Sequence, residues 1–144
     1  MENIMTPQTL DDFLAAEMPQ VSDWVRTISV DGPTTTVAMN ITDRHLRPGG
    51  TVSGPSLFML ADVAFYLNVL SVIGPVPLAV TTNANINFMR KPDPNGLIAV
   101  SRIMKLGQRL AVGDVTIYSV DDTLYENPVA HATMTYAIPR NKGI

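Results

Sequence analysis

The 144-residue chain has no cysteine, which removes disulfides, thiolate metal sites, cysteine nucleophiles and thiol redox chemistry together. Histidine is nearly absent as well. With only His45 and His131 present, no histidine-rich metal site is expected, and no metal is assigned. Charge is sparse at 16% of residues, with ten basic against thirteen acidic side chains and a net charge of −3. That is too little positive charge, too scattered, for a protein that grips a nucleic-acid backbone. The glycines lack a following G-K-[S/T], so no phosphate-hydrolysing P-loop is present. Gly50-Thr51-Val52-Ser53-Gly54 displaces its serine by one place from the nucleophile-elbow pattern. The N-terminus has neither a basic segment nor an apolar stretch of the secretory kind. Together with the missing cysteine, this leads us to expect a cytoplasmic location.

The chain has an apolar fraction of 46% and the length of one domain, so it can bury a core without staples. No repeat, linker or low-complexity tract divides it. The expected organisation is one domain over 1–144 with an N-terminal helical extension over 1–20. Thr9 to Met18 reads as a short amphipathic helix ended by Pro19. Trp24 to Val30 and Thr34 to Asn40 read as strands joined by the turn Asp31-Gly32-Pro33. A Gly/Pro-rich connection from His45 to Pro55 then leads into Leu57 to Ile73, where fourteen of seventeen residues are apolar. A bilayer span needs about 20 such residues. The stretch is shorter than that and broken by Asp62, Asn68 and Ser71, so it reads as a helix enclosed by protein, with no membrane partner.

After Gly74-Pro75 the period changes to two. Val80 to Phe88 alternates Val80, Thr82, Ala84, Ile86 and Phe88 with Thr81, Asn83, Asn85 and Asn87, placing one face on a core and the other against something wet. Further strands are expected over Leu97 to Lys105, Leu110 to Val120 and Tyr125 to Ile138, joined by tight turns in the manner of an antiparallel meander. The fold class is α+β: a curved antiparallel sheet wrapped around one apolar helix. Such a sheet leaves an edge and an outer face open, so a homo-oligomer is expected.

Asp62 is the sharpest anomaly, because an unpaired carboxylate inside an apolar helix is expensive. It reads as a base or nucleophile in a cleft, or as an acid that meets solvent or hydrogen-bonds a Ser or Thr across the helix. The glycine-rich loop before the helix suits an oxyanion, since a helix N-terminus presents free N–H groups and a positive dipole end. Gly54 and Asp62 lie eight residues apart on one helix, about 12 Å along its axis. A single chain therefore does not bring both to one carbonyl, whereas a site shared between two chains would.

The stretch from Gly50 to Pro92 resembles the acyl-CoA thioesterases of the hotdog fold, of the phenylacetate-degradation type. That family reads Gly, two residues, His-Gly-Gly, four residues and Leu-Ala-Asp, followed by a strand of the form V-[T/S]-x-x-x-N-I-x-F-x-x-P. Here the matching residues are Gly50 through Ser53-Gly54-Pro55, then Leu60-Ala61-Asp62, then Val80-Thr81 through Asn85-Ile86-Asn87-Phe88 to Pro92. The resemblance implies a homodimer, often paired into a tetramer, that hydrolyses acyl-CoA at the subunit interface without a separate cofactor, coenzyme A being part of the substrate. It places Asp62 on the catalytic carboxylate, Gly54 N–H on the oxyanion donor and Thr81 on a hydroxyl that positions water. Ser53 stands where the family has histidine, Pro55 where it has a second glycine, and Arg47 where a relative often has asparagine. These three, with Asn68, are expected to contact substrate. Arg90 and Lys91 are expected to meet coenzyme A phosphates, ahead of Arg102, Lys105 and Arg109. A non-catalytic acyl-CoA binder and an acyl-thioester hydratase or dehydratase are the alternatives, the latter requiring His45 or His131 to approach Asp62 in the folded dimer.

Overall fold

The computed structural model describes residues 1–140. The first helix, α1 (Pro7–Glu17), begins two residues before the expected start. Thr6 caps it by accepting from the Thr9 N–H, and the Thr9 hydroxyl accepts in return from the Thr6 N–H. Pro7 suits the first turn because its missing N–H would have had no partner there. For the same reason Pro19 does not simply end the helix. It opens a second short helix, α2 (Pro19–Ser22).

A hairpin follows, β1 (Val25–Asp31) and β2 (Thr34–Met39), turning at Gly32 with φ of 58°. The connection expected to be irregular contains a 3₁₀ turn over Asp43–His45. It also holds a two-residue ladder, β3 (Leu46–Arg47) against β4 (Thr51–Val52). Gly49 and Gly50 turn that ladder at φ of 98° and 75°, a region where a side chain would be strained. The long helix α3 (Gly54–Ile73) comes next, then β5 (Val80–Phe88), β6 (Leu97–Leu106), β7 (Leu110–Ser119) and β8 (Ala130–Ala137). The last strand is shorter than expected, because Tyr125 to Val129 is loop.

The six long strands form one antiparallel sheet in the order β1-β2-β6-β7-β8-β5. This corrects the simple meander. β5 does not pair with its successor β6; residues 89–96 carry the chain across three strand spacings, about 14 Å, and β5 closes the sheet against β8. Short-range alternation specifies each strand but not its neighbour, so the crossover has no local signature.

The sheet curves around α3, of which fourteen of twenty residues are buried. This helix is long and apolar enough to cross a membrane by length and composition, but it is the core element here. It packs so closely on the sheet that a Cβ at Gly113 of β7 would collide with the Arg102 carbonyl and come within 2.6 Å of the Phe65 ring. Asn68 lies on the same helix with no exposed surface. Its Oδ1 accepts from the Thr35 hydroxyl at 3.1 Å, and its Nδ2 donates to the Pro33 carbonyl at 3.1 Å and the Ser101 hydroxyl at 2.8 Å. Asn68 therefore stitches helix to sheet, which corrects its expected contact with substrate.

β5 departs from its expected phase. Thr81 pairs with Tyr136 and Asn83 with Thr135, so Thr82 is an extra residue in a bulge. An inserted residue reverses alternation on one side of it. Ala84 and Ile86 pack against the core as expected. Before the bulge, however, Thr81 turns inward and Val80 is left 52% exposed. The Thr82 hydroxyl donates to the Thr135 carbonyl instead of entering the core.

Candidate active site

Asp62 sits in the middle of α3, half-buried, on the side that meets the sheet edge. Two hydroxyls converge on one of its oxygens. Thr81 donates to Oδ1 at 2.6 Å from β5, and Tyr136 donates to the same atom at 2.7 Å from β8. Tyr136 also lies 3.1 Å from the Asp62 carbonyl oxygen. The two donors are direct cross-strand partners, so the bulge at Thr82 is what brings both to the same side. Burial, and then the negative charge of Asp62, push the Tyr136 phenol well above its ordinary range. It remains a proton donor at any working pH. The three groups open into a cavity of about 540 Å³ that is otherwise walled by Met18, Val63, Tyr66, Pro77, Leu78, Ala79 and Val80, with Glu17 at its rim. Tyr66 donates to the Pro77 carbonyl, and burial together with Glu17 pushes its phenol up to about 12.

Gly54 belongs to a different cavity, of about 580 Å³. As the first residue of α3 its N–H has no carbonyl one turn earlier to bond. The Phe88 ring lies 3.4 Å from where a Gly54 Cβ would stand, and Leu57 and Val52 form the apolar floor. Arg47, Arg90 and Lys91 border the same opening. All three are exposed. Cations, a free amide and a helix N-terminus together suit a ligand with anionic groups at one end and a polarisable oxygen at the other.

A sequence profile described as the Thioesterase superfamily matches residues 49–126, from the loop before α3 through β7. The chain belongs to the thioesterase superfamily. Thioester hydrolysis is the general chemistry which that membership supports. A candidate thioesterase from Silicibacter sp. TM1040 is 45% identical over 96% of this chain and 95% of its own, with a TM-score of 0.87. The Escherichia coli PaaI protein of the phenylacetic acid degradation operon shares the fold at 21% identity, covering 94% of this chain and 95% of its own, TM-score 0.78. A hypothetical thioesterase from Streptococcus pneumoniae TIGR4, solved with coenzyme A, does so at 20% identity over 93% and 99%, TM-score 0.76. Among curated proteins none matches the sequence. The six-stranded sheet around one long helix is the hotdog fold of these thioesterases.

Within this thioesterase fold the expected site residues fall into two groups. Asp62 and Thr81 share one cavity; Gly54, Arg47, Arg90 and Lys91 share the other. Ser53 is the N-cap of α3, with its hydroxyl 2.8 Å from that of Ser56 and accepting from the Ser56 N–H. Pro55 occupies the second position of the helix and is exposed. Asn68 joins neither group. Arg102, Lys105 and Arg109 lie outside both cavities. His45 is buried edge-on against Trp24, and its Nδ1 accepts from the Thr42 N–H. His131 pairs with Asp114 at 2.9 Å. Within one chain both histidines are thus engaged away from Asp62.

Tyr136 is the site residue that sequence reading missed. Tyr136 alternates with Met134 and Ile138, the spacing of a core face, and all three are buried. A buried phenol still needs a hydrogen-bond acceptor, and a lone carboxylate on the enclosed helix was the available clue.

Proposed function

We propose that the protein hydrolyses acyl-CoA thioesters, in the manner of the phenylacetate-degradation thioesterases, at a site completed by a second copy of the chain. Asp62 is the base or nucleophile and the Gly54 N–H of the other copy is the oxyanion donor. The observation that carries this reading is the segregation of the two groups. They stand on one rigid helix, about 12 Å apart along its axis, and they open into separate cavities. Two copies arranged about a twofold axis would set each acid cavity against the partner's amide cavity and so complete two equivalent sites. The free edge at β5 supports such pairing, since the strand carries the exposed side chains Val80 and Phe88 and is followed by exposed Met89.

The division of chemistry between the cavities assigns the two ends of the substrate. Phosphates of coenzyme A meet Arg47, Arg90 and Lys91, and the acyl group lies against the largely apolar wall beside Asp62. The coenzyme A complex of the S. pneumoniae relative is in keeping with this. The thioester carbonyl oxygen accepts from the Gly54 N–H, so the charge that develops on it meets a donor and the positive end of α3. One such donor is worth about 2.7–4 kcal/mol of barrier. Asp62 then takes a proton from water as the water oxygen bonds to the carbonyl carbon. Collapse of the tetrahedral adduct breaks the C–S bond, and the thiolate leaves as the carboxylic acid forms. If Asp62 attacks directly, the C–S bond breaks to give an anhydride, which water then opens. No step in either course calls on a metal or redox cofactor.

Thiol release from a panel of CoA esters, measured beside sedimentation, tests the reading. The expected result is turnover by a dimer, with Asp62→Asn still dimeric and its kcat at least 100-fold lower. A monomer with full activity, or an undiminished Asp62→Asn, overturns it. Calorimetric binding without thiol release would favour the acyl-CoA binder instead.

A further inference from the structure

We propose that Tyr136 is a positioning residue: with Thr81 it pins Oδ1 of Asp62, so that Oδ2 alone is presented to the substrate. The inference rests on the reading of Asp62 as the reacting carboxylate.

A carboxylate on a helix can rotate about its last bond and offer either oxygen. Here the two available hydroxyls do not share the two oxygens between them. Both donate to Oδ1, at 2.6 and 2.7 Å, one from each of two paired strands. These are short, charge-assisted bonds. Their strand anchors are cross-linked by the sheet ladder, so the carboxylate is held from two sides at once. Rotation that exchanged the oxygens would break both bonds together. No described residue donates to Oδ2, and the carboxyl lines the cavity.

Tyr136 is built for this position. Its ring is buried, packed edge-on against Phe65 at 5.4 Å and tilted against Tyr66 at 6.0 Å. Neighbouring rings leave it little freedom to swing. The hydroxyl could have been satisfied by the Asp62 backbone carbonyl alone, but that oxygen lies at 3.1 Å and the side-chain oxygen is closer. The elevated phenol keeps its proton through the working range, so the donor on Tyr136 is not lost as pH rises. A productive approach to a carbonyl carbon, or to a water beside it, tolerates only a narrow range of angles and distances. A misplacement of about 1 Å costs on the order of 100-fold.

Tyr136→Phe removes one oxygen and leaves the ring contacts, and it strands no donor. The expected outcome is a kcat reduced tenfold to 100-fold, with KM within about twofold of the parent and the dimer intact. Thr81→Val is expected to act in the same sense. The double variant should lose less than the product of the two single losses, because either removal already frees the carboxylate. Unchanged kcat in Tyr136→Phe, a rise in KM alone, or losses that simply multiply would each overturn the inference. Asp62→Asn, measured alongside, separates the two levels. If it retains full turnover, the reading of the site fails. If it is inactive while Tyr136→Phe turns over normally, only the positioning role fails.

Discussion

Asp62 and Asn68 stand six residues apart on the same apolar helix, and both are polar groups in an expensive place. Asn68 is completely enclosed, with both side-chain N–H donors and one Oδ1 lone pair committed to three protein partners from β2, the preceding turn and β6. Asp62 is half-buried and lines a cavity, with one oxygen held twice and no described residue donating to the other. The contrast teaches that burial alone does not mark a functional group. An unspent hydrogen-bonding valence facing open space does.

Several substitutions would break or sharpen this contrast. The largest effect is expected for Asn68→Asp, which keeps the shape but brings a charge into a fully enclosed site and removes two donors. It should lower stability by about 3 kcal/mol or more, read as a drop in Tm of roughly 10 °C, while whatever remains folded keeps its kcat. Asp62→Asn should show the mirror image: at least about 2.7 kcal/mol of barrier lost as a 100-fold fall in kcat, with Tm within a few degrees. If both variants lost stability and activity together, the division between structural and reacting polar groups would not hold. A smaller effect is expected at the other cavity. Arg90→Ala with Lys91→Ala should raise KM several-fold for a CoA ester, as expected for exposed charge pairs worth about 1 kcal/mol. Neither should matter for a truncated thioester that lacks the phosphates. Equal effects on both substrates would remove the cations from phosphate binding.

Much of this was open to reading from the chain alone. The helix announced itself by fourteen apolar residues in seventeen, and the anomaly within it, Asp62, is the residue on which the site turns. β5 to β7 fall within a residue or so of where alternation put them. What escaped was long-range or positional. Nothing local to Val80–Phe88 says that its partner is β8, and the pairing of Thr81 with Tyr136 depends on that choice. Asn68 is ambiguous because a polar residue on an apolar helix looks the same in sequence whether its partners are protein or substrate. Ser53 directly before the helix has the residue type of an N-cap, and that is the role its hydroxyl fills in the fold.

The doubled threonine of β5 has a further consequence. Removing either Thr81 or Thr82 yields the same shorter protein, with a single threonine between Val80 and Asn83. A regular ladder would then set that threonine opposite Tyr136, with Val80 still opposite Ala137, the facings both pairs have now. The frame of the strand is therefore indifferent to the loss. A one-residue deletion here, which in most edge strands would turn every upstream side chain over, should leave the hydroxyl beside the acid and cost only the local coil of the backbone.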